Sequence, residues 1–243
     1  MNIYAIADLH LSGSPPAKPM TVFGSHWSGH WEKIKTDWRQ KVAETDIVLL
    51  AGDLSWGMRW SEALPDLEEI MTLPGRKILI RGNHDYWWQT VSKMSRAVDN
   101  RLTFLQNSFV EAGEWAICGS RGWTCPGDSD FGAADLAIYQ RELARLRLSL
   151  TAAQQAGFAN IIVMLHYPPS DARLRQTGFT DLLDEFCVSV CVYGHLHGDA
   201  AKYGPSGCRN HTAFALVACD ATEFTLRPVL CNGRIYSPNN ETI

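Results

Sequence analysis

The sequence predicts an α/β domain layered around a mixed sheet, and three observations predict it. Between the early strand-like runs lie segments with helical spacing. Toward the carboxyl end, two strand-like runs follow one another like a hairpin. No internal repeat, low-complexity tract or long linker divides the 243 residues, so one domain over 1–243 is expected.

The elements follow in order. The apolar run at 3–7 reads as a buried strand. Pro15, Pro16 and Pro19 keep the next stretch irregular until Trp27 begins a helical pattern over about 27–44. Residues 12–41 therefore read as an insertion over one face, aromatic and basic. Lys18, Lys33, Lys35, Arg39 and Lys41 stand there against Glu32 and Asp37, which would suit either a solvated helix face or a positive lip. Strands are expected at 47–51, 77–80 and 115–118, with helices at 61–72 and 86–98. The clearest helix is 135–156, where Leu136, Tyr139, Leu143, Leu146 and Leu150 recur at three- and four-residue steps and form a core-facing stripe. Strands at 161–165, 188–193, 213–218 and 224–230 complete the set.

Composition excludes several classes. A formal charge of -4 supplies no global field for nucleic acid or anionic membrane, so nucleic acid is not favoured as a partner. No apolar run is long enough for a membrane span, and the chain opens into a strand without a leader-like pattern, which together predict a cytoplasmic protein. The seven cysteines show no CxxC pair, and several lie in apolar runs. Reduced, mostly buried thiols are expected rather than disulfides or zinc ligands. Oligomeric state is not set by any of these features.

Chemistry gathers where the apolar runs stop. Tyr4 to Ala7 end in Asp8-Leu9-His10, and alternate side chains of an extended segment share a face. "IVLLAGDLS" ends in Asp53, "KILIRGNHD" in Asn83-His84-Asp85, "IIVMLHYPP" in His166 and "CVYGHLHG" in His195-Leu196-His197. Carboxyl ends of strands form the ligand crevice of open α/β sheets. A lone histidine after a strand is usually an ordinary loop residue, but five such coincidences together point to one site. Carboxylate, amide and imidazole without thiolate suit Mn, Fe or Zn. Seven ligands exceed what one six-coordinate ion with an open place can use, and two divalent ions sharing a carboxylate fit the count.

The ordered series Asp-x-His, Gly-Asp, Gly-Asn-His-Asp, His, Gly-His-x-His resembles the calcineurin-like metallophosphoesterase family over Asp8 to His197. The resemblance implies a four-layer α/β/β/α sandwich with two mixed sheets and a dinuclear metal site at the strand ends. It implies that Asp8, His10, Asp53 and His197 hold one metal and that Asp53, Asn83, His166 and His195 hold the other, with Asp53 the bridge. Mn or Fe is favoured and Zn is possible. His84 would contact the phosphoryl group or protonate the leaving group, and Asp85 would orient its imidazole, cap a helix beginning at Tyr86, or do both. The implied reaction is hydrolysis of a phosphate ester by a metal-bridging hydroxide, on a small phosphorylated substrate.

Departures from the family narrow the field. Trp56 stands where purple acid phosphatases place a metal-binding tyrosine, and indole cannot take that role. Gly-Asp-Leu-Ser-Trp-Gly-Met-Arg likewise departs from the protein-phosphatase pattern Gly-Asp-x-Val-Asp-Arg-Gly. Arg59 remains a candidate phosphate clamp, Trp56 a stacking surface, and Arg121, Arg173 and Arg175 candidate substrate contacts. Trp60 and one of Trp87 and Trp88 read as helix packing. His26 and His30 have zinc-compatible spacing but no third ligand. An inactive scaffold of the same fold should lack a ligand or His84, and none is missing. A nucleotide-cofactor fold should carry a glycine-rich loop after the first strand, where Asp8 stands instead. Monoester, diester and pyrophosphate substrates all remain open.

Overall fold

The computed structural model describes residues 1–236; the last seven residues of the expected 1–243 domain lie outside the described residues. Its elements are β1 (Ile3–Ile6), α1 (His30–Lys41), β2 (Ile47–Leu50), α2 (Trp60–Met71), β3 (Arg76–Leu79), α3 (Val91–Ala97) and β4 (Leu102–Phe104). There follow β5 (Phe109–Ala112), β6 (Trp115–Gly119), α4 (Asp135–Gln155), β7 (Asn160–Leu165), α5 (Gly178–Glu185) and β8 (Val190–Tyr193). The chain closes with β9 (Gly207–Arg209), β10 (Thr212–Leu216), β11 (Arg227–Cys231) and β12 (Arg234–Ile235).

These strands form two mixed six-stranded sheets, ordered β12-β11-β1-β2-β3-β4 and β5-β6-β7-β8-β10-β9. Alternate residues on each strand face opposite layers, and both faces are covered, which explains the unbroken apolar runs. Ile3, Ala5, Ile47, Leu49 and Ile78 join Ile117, Ile162, Met164 and Val192 in the core between the sheets. Ile6, Val48, Leu50 and Leu79 face outward onto Ile34, Trp38, Leu67 and Met94 of α1, α2 and α3. On the far side, Cys118, Val163 and Cys191 pack against Tyr139, Leu146, Leu150, Phe179 and Leu183 of α4 and α5. The order of layers is α/β/β/α, as the resemblance implies. Both sheets carry a parallel block, β1 to β4 in one and β6, β7, β8 and β10 in the other.

Several expectations are corrected. The segment 12–41 divides in two. Strands β1 and β2 pair in parallel, which requires a crossover, and α1 with its buried Ile34 and Trp38 is the crossover helix rather than an addition. Only the irregular part before it, with 3-10 turns at Met20–Phe23 and Ser25–Trp27, extends beyond the layer. Of the five positive charges in 12–41, Lys35 pairs with Glu32 and Glu69 and Lys41 with Asp37, whereas Lys18, Lys33 and Arg39 have no ion-pair partner among the described residues. The runs expected as a carboxyl-terminal hairpin go to different sheets: β10 pairs with β8 and β11 with β1. The helix expected from residue 86 starts at Val91, and Leu136 of the α4 stripe is 46% exposed because the helix is still entering the core there. Strands β4, β5, β9 and β12 and helix α5 carry too few residues for a periodic signal. Helix α5 is nonetheless marked by a reciprocal cap between Thr177 and Thr180.

All seven cysteines are free, four of them buried and Cys187 and Cys208 exposed. No helix among the described residues is long and apolar enough to cross a membrane.

Candidate metal centre

The residues at the strand ends converge, but not by simple strand alternation. β1 ends at Ile6, and Asp8 and His10 then take left-handed backbone angles, φ 62° and 48°. Asp53 (φ 54°) and His195 (φ 72°) do the same. Such angles in non-glycine residues are uncommon and strained, and they persist where surrounding structure over-determines them. Here the turns re-aim each side chain off the end of its sheet toward one place.

Neighbouring glycines make room for this. A Cβ on Gly82 would sit 2.0 Å from Asp53 Oδ1, and one on Gly194 would sit 2.5 Å from Asp8 Oδ2. The glycines of the Gly-Asn and Gly-His motifs are thus demanded by a carboxylate pressed against bare backbone.

Two groups of possible ligands result, Asp8 with His10 and His197, and Asp8 with Asp53 and His166; within each, the ligand atoms lie within 4.8 Å of one another. In the first, His10 Nε2 lies 3.4 Å from His197 Nε2, and Asp8 Oδ1 3.4 Å from His197 Nε2. Asp53 Oδ2 lies 3.5 Å from His166 Nε2 and 4.0 Å from His10 Nε2, so it reaches toward both groups. Asn83 Oδ1 meets His166 Nε2 at 2.6 Å and His195 Nδ1 at 3.0 Å. The seven residues expected as ligands therefore surround one small volume.

Electrostatics in this volume call for cations. Asp8 and Asp53 are buried, at 0% and 2% exposure, and Asp8 Oδ1 has no hydrogen-bond partner. Burial alone would raise Asp8, but the hydrogen bond from His197 and the charges of His166 and His197 bring it down to about 2. Burial raises Asp53 to about 7, opposed by His166 and reinforced by Asp85 and Asp8. Burial pushes His10 and His195 down to about 3, so both offer neutral imidazoles. His197 goes the other way. Against burial, its hydrogen bonds to Asp220 and Asp8 raise it to about 10. A proton there occupies the place between carboxylates that a divalent ion would fill, and the donor set fits such ions.

Asp220 is the residue that sequence reasoning missed. Its Oδ1 takes His197 Nδ1 at 2.8 Å and its Oδ2 accepts the Gly198 N–H at 2.9 Å, which fixes the ring with Nε2 toward Asp8. The one available signal was its position, a carboxylate just beyond the apolar run at 213–218.

Asp85 departs from its expected roles. It caps no helix, because α3 starts later with Thr90 before it. Its Oδ2 accepts the N–H groups of Asp53 and Gly82, both at 2.8 Å, and its Oδ1 those of Leu54 at 2.9 Å and the Trp87 indole at 3.0 Å. With both oxygens engaged, the carboxylate ties the loops after β2 and β3 together instead of hydrogen-bonding the His84 ring. It still favours the protonated form of His84 through its charge, although burial and His166 push that imidazole down.

His84 lines a cleft of about 360 Å³ with His10, Asp53, His195 and His197. Met20, Phe23, Trp27 and Trp56 form its apolar side. Trp56 stacks on His10 with ring centroids 4.7 Å apart and meets His84 at 4.6 Å. Trp60 and Trp87 pack in the core, as expected of helix-packing residues. Arg59 is exposed before α2 and Arg121 lines a neighbouring cavity; neither lines the cleft. Arg175 is bound to Asp128 at 2.6 Å, and Arg173 is exposed outside the cleft lining. His30 Nε2 is held by the Leu9 carbonyl at 3.0 Å, and His26 precedes α1 in a separate turn, so the two do not share a helix face.

The family model for calcineurin-like phosphoesterases matches residues 1–199, and the chain belongs to that family. Its members generally hydrolyse phosphoesters with divalent metals. The chain is also 28% identical over 110 residues to the Gene 66 protein of Mycobacterium phage D29, a match covering 44% of this chain and 53% of that protein. The matched part is thus about half the length of this curated relative. Among solved structures, a protein of unknown function from Aquifex aeolicus has the same fold, with TM-score 0.51, 14% identity and coverage of 93% of this chain and 95% of that one.

Proposed function

We propose that this protein hydrolyses a phosphate ester with two divalent metal ions held by Asp8, His10, Asp53, Asn83, His166, His195 and His197. The observation that carries the reading is the convergence of Asp8, His10 and His197, and of Asp8, Asp53 and His166, within ligand distance of one another around buried carboxylates. The ions would supply an activated water near neutral pH and neutralise phosphoryl charge. Asp53 Oδ2, reaching toward His10 and His166, suits the bridging position, with Asp8 between the same two groups.

The chain's own residues do the rest. His84 faces the cleft as the one imidazole of the Gly-Asn-His-Asp loop outside the ligand set, and it meets the phosphoryl group or the leaving oxygen. Trp56 holds the His84 and His10 rings in place, and Asp220 holds His197. The apolar wall of Met20, Phe23 and Trp27 offers a small organic substrate an unpolar contact beside the centre. Mn or Fe is the favoured metal.

The test is elemental analysis and a metal-supplemented panel of phosphomonoesters, cyclic and linear diesters and nucleotide pyrophosphates. The expected result is close to two ions per chain and turnover of one class. One ion, or no turnover with any metal, would support the reading of an inactive metal-binding scaffold.

A further inference from the structure

A second polar cavity, of about 420 Å³, opens at the carboxyl ends of β3 and β6. Arg81 and Arg121 line it from those strand ends, and Arg145 lines it from α4. It neighbours the metal centre without belonging to it. Arg81 stands two residues before Asn83, and the Arg121 carbonyl accepts the N–H groups of His166 and Tyr167, both at 3.0 Å. The two cavities share no lining residue.

Its charges do not balance. Glu142 is fully buried, and its Oε1 lies 2.8 Å from Arg145 Nη1, 3.5 Å from Arg121 Nη2 and 3.7 Å from Arg141 Nε. One carboxylate thus serves three guanidinium groups. Arg81 adds another positive charge, with no ion-pair partner among the described residues, and it weighs against Arg121 electrostatically. The Nε atoms of Arg81 and Arg121 are buried and unpartnered. Those two atoms are closed to solvent, and it is the remaining guanidinium N–H groups that can meet a ligand, on the half-buried Arg81 and on Arg121 and Arg145, whose side chains are 13% and 33% exposed.

Glu142 lies behind these groups with its side chain closed to solvent, so it holds the guanidinium heads and does not itself reach the cavity. The cavity therefore asks for a negatively charged ligand that accepts from several guanidinium N–H groups. The tetrahedral phosphate group meets both demands.

We propose that this cavity is a phosphate-binding site, separate from the metal centre, in which Arg81, Arg121 and Arg145 hold the oxyanion and the buried Glu142 holds Arg121 and Arg145 in place behind it. The group is inorganic phosphate or the terminal phosphoryl group of a small molecule. The site stands independently of the metal-centre reading.

Calorimetric titration of inorganic phosphate and sulfate into metal-loaded and chelator-treated protein tests it. A phosphate site that survives chelation, and that sulfate displaces in competition, is expected where guanidinium groups read an oxyanion's charge and shape. Arg81→Gln and Arg145→Gln should each weaken it by about 10- to 100-fold. No binding after chelation, phosphate binding that sulfate cannot displace, or binding indifferent to both arginine variants would overturn the proposal. If those variants fail to fold, a crystal of the unaltered protein soaked in phosphate decides it: density among the three arginines supports the site, and its absence there overturns it. Competition by a non-hydrolysable phosphomonoester would identify a terminal phosphoryl group as an occupant; phosphate binding without such competition would identify the free ion.

Discussion

The metal centre and the arginine cavity lie side by side at the ends of the same sheets, yet they are built in opposite ways. The proposed centre draws on short side chains, Asp8 and Asp53 with the imidazoles of His10, His166 and His197, and the backbone is bent at Asp8, His10, Asp53 and His195. The arginine cavity takes long side chains from two strand ends and a helix, and its charge is set by where flexible heads meet. One is pre-organised for cations by its main chain. The other gathers positive charge around a single buried carboxylate, and its donors await an anion.

The largest effect that would sharpen this contrast is loss of Asp53, the carboxylate proposed to bridge the two ions. Asp53→Asn should abolish nearly all turnover and reduce bound metal by about one ion per chain, read by elemental analysis, because it weakens a two-metal site at its common ligand. Chelator-resistant phosphate binding should be unchanged in the same variant. If that binding also disappears, the two cavities are one site and the comparison fails.

A smaller effect is expected at His84. His84→Gln should keep both metals and lower kcat by about 10²- to 10⁴-fold, the range for a general acid. Steady-state kinetics on two substrates then assigns its role. A loss that shrinks for a nitrophenyl ester and stays large for an alkyl ester marks proton donation to the leaving oxygen, whereas equal losses mark contact with the phosphoryl group. If His84→Gln strips a metal, His84 belongs with the ligands.

The smallest effect is expected at Asp220, which touches no reacting atom. Asp220→Asn should weaken metal affinity by about 10- to 100-fold through the misplaced His197 ring, as measured by metal titration, while saturating metal restores most turnover. Turnover lost without any change in metal affinity would exclude this positioning role.

The same contrast explains what the sequence made legible. Asp8, Asp53, His166 and His195 could be located because each sits immediately beyond an apolar run, and the layer order followed from strands covered on both faces. The helix α1 was misread as part of an insertion because prolines hid its link to β1, and the pairing of β10 and β11 with different sheets leaves no local trace. Arg121 was singled out as a substrate contact, but a guanidinium some six bonds from its backbone does not reveal which of two adjacent cavities it enters. Asp220 lacked a motif altogether. It acts through His197, and only proximity in space discloses that.

The left-handed turns have one more consequence, and it concerns descent. A side chain held at positive φ costs about 1–2 kcal/mol that glycine would not incur. At residues 8, 10, 53 and 195, replacing the ligand by glycine removes the chemistry and relaxes the main chain together. At residues 8 and 53 that relief is offset, because Asp8 Oδ2 accepts the His195 N–H and Asp53 Oδ1 the His84 N–H, so the strain at His10 and His195 is the part that a lineage released from selection on the site would shed first.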